Sequence, residues 1–150
     1  MIHPPEYWMS IAFSEARLAM AEDETPVGAV VVRDGVLLGR GHNQTKRLAD
    51  PTAHAEMLAI TAACQKLGNE RLDGCDLYAT LEPCPMCGTA MVLGRAARLY
   101  YAAEDPRMGG CGSLVDVVRD PRMPHRLEVY RLGDAEESQQ LLARFFKSRR

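Results

Sequence analysis

The sequence predicts an α/β protein with three layers, a five-stranded mixed sheet between helices on both faces. Three observations carry this. Short β-branched runs alternate with longer stretches of helical periodicity. Asp34-Gly35 joins the first two runs as a hairpin. A glycine-rich loop and a short helical stretch separate the last two, which is room for a parallel crossover.

Taken in order, Trp8, Ile11, Ala12, Ala16 and Ala19 recur at helical spacing between Glu6 and about Ala21. Glu15, Arg17 and Glu22 fall on other faces, so the helix is amphipathic, and Pro4-Pro5 suits its start. Val27 to Val32 reads as a buried strand, and Val36 to Gly41 returns beside it. His42 to Pro51 is a polar loop. Thr52 is the expected N-cap of a helix from about Ala53 to Leu67, which Gly68 stops. Cys75 to Thr80 is the third strand. Pro83 opens a helix that runs to about Leu93 and ends at Gly94. Arg98 to Ala102 is the fourth strand, and Asp105 to Gly112 is a loop. Ser113 caps a short helix to Arg119, and Arg126 to Tyr130 is the fifth strand. Asp134 caps the last helix, with Glu136 and Glu137 in its first turn and Leu141, Leu142, Phe145 and Phe146 as its apolar face.

No repeat, low-complexity segment or linker divides the chain, so residues 1–150 are expected to form one domain. A net charge of −2 makes no global demand for a nucleic-acid or membrane partner, although a local basic patch stays open. No apolar run reaches membrane-spanning length. Met1-Ile-His-Pro-Pro-Glu lacks the basic lead and apolar stretch of a signal peptide, so a cytoplasmic, reducing setting is expected. There, five cysteines, two of them in a Cys-x-x-Cys, mean metal or redox chemistry rather than a disulfide framework.

The chemistry gathers in His54-Ala55-Glu56 and in Pro83-Cys84-Pro85-Met86-Cys87. Cys84 and Cys87 share a helix face, so both sulfurs can reach one ion. His54 and Glu56 are two apart, and converge only if their helix has barely begun and the metal lies off its N-terminal end. One imidazole and two thiolates leave a tetrahedral zinc with an open position, the mark of a catalytic site. A water made reactive there could attack a ring carbon bearing an amino group, with Glu56 moving the proton. That is hydrolytic deamination of a nucleobase. Structural zinc sites and thiol redox motifs also use Cys-x-x-Cys. Neither needs His54 or Glu56, and Cys64, Cys75 and Cys111 form no second ligand pair. Those three read as buried or incidental thiols.

These motifs match the H-x-E…P-C-x-x-C signature of zinc deaminases. The chain resembles the cytidine deaminase superfamily and, within it, the bacterial tRNA-specific adenosine deaminases. The likeness includes Tyr7-Trp8-Met9, Pro26-Val-Gly-Ala-Val30, Asn43, Leu77 to Cys84, Asp105, Gly112-Ser113-Leu114, His125-Arg126 and the closing Phe145-Phe146 helix. The resemblance implies a cytidine deaminase-like fold with one zinc per subunit, held by His54, Cys84 and Cys87, and Glu56 as the proton shuttle. It implies base contacts from Asn43, from a wall of Val27, Gly28 and Ala29, and from the backbone of Ala55, with Asp105 touching the RNA strand. The implied substrate is adenosine at the wobble position of a tRNA anticodon loop, and the implied assembly a homodimer with no membrane. Basic residues near the cleft or the C-terminus, among them Lys46, Arg47, Arg107, Arg122, Arg126, Lys147, Arg149 and Arg150, are candidate RNA contacts. Pro124 and the loop Gln44 to Ala49 depart from the family pattern. Two rival readings stay open: a deaminase of a free base or nucleoside such as guanine, cytosine or cytidine, and a zinc-stabilised binding module without catalysis.

Overall fold

The computed structural model describes residues 2–149. Its elements follow the chain as α1 (Pro5–Ala21), β1 (Gly28–Arg33), β2 (Val36–His42), α2 (Ala55–Leu67), β3 (Asp76–Leu81), α3 (Pro85–Gly94), β4 (Arg98–Ala103), β5 (Glu128–Arg131) and α4 (Ala135–Lys147). The strands lie in the order β2-β1-β3-β4-β5. β1 is antiparallel to β2 and β3, whereas β3, β4 and β5 are parallel. This is the mixed sheet that the alternation of patterns predicts. Asp34 and Gly35 take φ of 52° and 73°, as a tight hairpin turn with two left-handed residues requires.

Side chains alternate across each strand, so the sheet feeds two cores. On one face Val27, Ala29, Val31, Leu77, Ala79 and Leu99 pack with Ala59 and Ala63 of α2 and Met91 and Val92 of α3. On the other, Val30, Val32, Tyr78 and Ala102 pack with Trp8, Ala12 and Phe13 of α1 and Leu141 of α4. The alanines of α2 let it lie close to β2. Gly41 completes this, because a Cβ there would sit 2.6 Å from the Ala55 carbonyl oxygen. The start of α2 is thereby held at one end of the sheet.

Several local expectations need correction. Thr52 caps nothing: its amide and hydroxyl both donate to Asp50 Oδ1, at 2.8 and 2.7 Å, and the N-cap of α2 is His54. Likewise α3 begins at Pro85 with Cys84 as N-cap, not at Pro83. Arg95 rather than Gly94 takes the left-handed position after it, with φ of 61°. β5 starts at Glu128, later than expected. Glu15 does not face solvent but is buried in α1. The stretch Ser113–Arg119 is turn and bend rather than helix. Its valines are poor helix formers, Cys111 bridges to Asp116, and the Ser113 hydroxyl is committed elsewhere. The parallel crossover from β4 to β5 therefore runs through irregular chain. Among the described residues no helix is long and apolar enough to cross a membrane.

Candidate active site

β3 and β4 end, and α2 and α3 begin, around one cavity of about 440 Å³. Its lining includes Val27, Asn43, His54, Ala55, Glu56, Glu82, Cys84 and Asp105. His54 and Cys84 are the N-caps of α2 and α3, both with extended backbone, so their side chains lie over the two helix tips. Glu56 and Cys87 follow in the first turns. This is the only way residues two apart on α2 could serve one centre, and the chain takes it.

His54 Nδ1 lies 3.5 Å from Cys84 Sγ and 3.6 Å from Cys87 Sγ, and all three ligand atoms fall within 4.8 Å of one another. Tetrahedral bonds from one zinc to nitrogen and sulfur would separate those atoms by about 3.6 Å. The three residues therefore fit a zinc ion. The helix N-termini, each with amides that have no intrahelical acceptor and a positive dipole end, favour thiolate there.

Charge is distributed unevenly. The hydrogen bond from Cys87 pulls the Cys84 thiol down to about 4 against the effect of burial, with His54 helping. The same bond and burial push Cys87 up. A bound dication would favour thiolate at both sulfurs. His54 is raised by its bond to Cys84, although burial opposes this. Burial pushes the Glu56 carboxyl up to about 7, with its own amide and His54 offsetting only part. Glu56 is 4% exposed and stands outside the group that could hold a metal, so its carboxylate is not committed as a ligand.

Of the expected base contacts, Asn43, Val27, Ala55 and Asp105 line the cavity. Asn43 is buried just past β2, its amide donating to the Val27 carbonyl at 3.2 Å and its side chain to Thr45 Oγ1 at 3.2 Å. Gly28 and Ala29 do not reach the cavity. Gly28 points to the opposite face of the sheet, against Ala12 and Ala16 of α1, and Ala29 is covered in the core. Strand alternation turns Gly28 away, whereas Ala29 shares the face of Val27 but is covered by the core, so of the three only Val27 reaches the wall. Arg107 is the one basic candidate on the cavity among the described residues. Lys147 is exposed outside the lining. Arg149 pairs with Asp23 and lies 4.2 Å above the Phe145 ring. Arg150 lies outside the described residues.

Two buried glutamates hold the cavity's rims, and sequence reasoning assigned neither a role. Glu24 accepts the amides of Lys46 and Arg47 at 3.2 and 2.7 Å, fixing the loop after Asn43. Glu82 accepts from the segment 105–113 on the other side. The available signal was a carboxylate at a strand-to-helix junction, immediately before Pro83-Cys84, with an amide-rich Gly109-Gly110 loop downstream.

Residues 3–103 match the family described as the cytidine and deoxycytidylate deaminase zinc-binding region. The tRNA-specific adenosine deaminase of Aquifex aeolicus is 44% identical over 147 residues, which is 97% of this chain and 95% of the relative. A solved structure from a study of A-to-I editing by tRNA:A34 deaminases superposes with a TM-score of 0.81 at 48% identity, covering 84% of this chain and 97% of its own. The guanine deaminase of Bacillus subtilis superposes with a TM-score of 0.68 at 33% identity, over 98% of this chain and 94% of that one.

Proposed function

The chain belongs to the cytidine and deoxycytidylate deaminase zinc-binding family, and from that premise we propose that it hydrolyses adenosine to inosine at the wobble position of tRNA, releasing ammonia. The observation that carries the chemistry is the His54, Cys84 and Cys87 group at tetrahedral spacing, with buried Glu56 facing the same cavity. Full-length relatives named for tRNA-specific adenosine deamination support the substrate.

His54, Cys84 and Cys87 would hold the zinc. When bound, zinc supplies a Lewis acid that makes water nucleophilic near neutral pH. Glu56 takes one proton from that water and delivers it to the ring nitrogen next to the attacked carbon. It then carries the second proton to the amino group, so the C–N bond breaks to release ammonia and the carbon is left as a carbonyl. Asn43 and the Ala55 backbone orient the base, Val27 walls it, and Asp105 and Arg107 meet the strand beside it. The reacting base must leave its stack, and an anticodon loop presents one already unpaired. Homodimeric assembly belongs to the same reading and rests on the resemblance.

Similarity to a guanine deaminase favours one second reading, a free purine as substrate. The test offers zinc-loaded protein an anticodon stem-loop with wobble adenosine, then guanine, adenine, cytosine and cytidine. Inosine in the RNA alone is expected. Ammonia from a free base would replace this reading with the second, and no turnover by zinc-loaded protein would leave a binding module.

A further inference from the structure

We propose that Glu82 is a positioning residue that sets the lip of the substrate pocket, resting on the deaminase reading above. Glu82 follows the last residue of β3 and precedes Pro83-Cys84, so it sits between the sheet and a zinc-ligand helix. Its amide donates to the Ala103 carbonyl at 2.8 Å, tying it to the end of β4. Its side chain is 2% exposed. Oε1 accepts the Asp105 amide at 3.1 Å and the Ser113 hydroxyl. Oε2 accepts the amides of Cys111 and Ser113 at 3.0 and 3.1 Å. One carboxylate therefore gathers four donors from both ends of a nine-residue segment.

That segment has no helix or strand to hold it. The Asp105 carboxylate continues the chain of contacts by accepting the amides of Arg107 and Met108 at 3.1 and 3.3 Å. Asp105, Arg107 and Met108 all line the cavity. The Gly110 amide donates to the Pro83 carbonyl at 2.7 Å, and a Cβ on Gly110 would come within 2.5 Å of the Pro85 nitrogen. A Cβ on Gly109 would run into the Glu82 carboxylate itself. The loop is thus moulded onto Glu82 and the start of α3.

Glu82 also lines the cavity, which raises the question of whether it could move protons. A carboxylate has about four lone-pair sites, and here four donors occupy them. Glu82 has no free position for a substrate proton. It acts through the lip, on how the substrate is held.

The test is Glu82→Gln in the zinc-loaded full chain, assayed on the wobble-adenosine stem-loop. Gln aims an NH₂ at donors that need an acceptor. KM should rise about tenfold or more while kcat stays within about threefold, and zinc content should not change. A fall in kcat at unchanged KM would overturn the proposal, since Glu82 would then act in the chemistry. Unchanged KM and kcat would overturn it as well. Should Glu82→Gln fail to fold, Ser113→Ala removes a single donor: a smaller rise in KM supports the proposal, and none refutes it. Hydrogen exchange at Asp105, Cys111 and Ser113 needs no substrate, so it separates this proposal from the deaminase reading. Faster exchange at those amides in the variant supports the pinning, and unchanged exchange refutes it.

Discussion

Glu56 and Glu82 line the same cavity, are 4% and 2% exposed, and have their carboxyls driven in opposite directions. Burial raises both. At Glu56 little answers it, and the pKa reaches about 7. At Glu82 the Ser113 hydroxyl and three loop amides overcome burial and hold it below the ordinary carboxylate range. A proton can come and go at the first and cannot settle on the second. Role follows environment rather than residue type. The zinc's own charge, when present, pulls Glu56 back toward its ionised form, which suits a base that must accept a proton from water.

The largest effect should come from removing the centre both glutamates serve. Cys87→Ala should lose zinc, read by elemental analysis, and with it all turnover above background; full zinc occupancy would refute the ligand assignment. Next, Glu56→Gln should lower kcat by about 10²- to 10⁴-fold while zinc stays bound. Set beside Glu82→Gln, which should move KM, this is the sharpest form of the contrast. If both variants lost kcat alike, the two glutamates would share one job.

The smallest effect tests the same logic away from the cavity. His42 lies between Glu15 and Glu22, 3.0 and 2.8 Å from their carboxylates. Burial pulls its pKa down, but the two carboxylates outweigh it and hold it above 6.5. A histidine raised on folding stabilises the protein fully below its unfolded pKa of about 6.5, and the gain is lost as pH rises through the folded value. His42→Gln should therefore lower Tm by a few degrees near pH 6, with the gap closing near pH 9. A gap that widens with pH would mean that His42 is held neutral.

Much of this site could be read from sequence. The group of residues able to hold a metal, the acid left outside it and the need for two helix starts to meet followed from residue types and spacing. Helix spans followed from apolar periodicity, and the hairpin from Asp34-Gly35. What failed was local chemistry judged without its partners. Thr52 looked like a cap, but Asp50 claimed both its donors. Ser113 looked like a cap as well, but Glu82, 31 residues earlier, holds it. Glu15 looked solvated, yet Arg40 and His42 of β2 bury it.

By itself the sequence determined which atoms could bind a metal, which acid was left over, and where most helices and strands would form. Those properties depend on residue chemistry and on contacts a few positions apart. Only the tertiary structure decided which glutamate stays free and which is saturated, which face Gly28 takes, and where Arg149 points. Each depends on donors or backbone brought from distant chain, as at Glu82, whose partners lie 23 to 31 residues away. A buried charge takes its properties from the groups that surround it, and those groups are chosen by the fold.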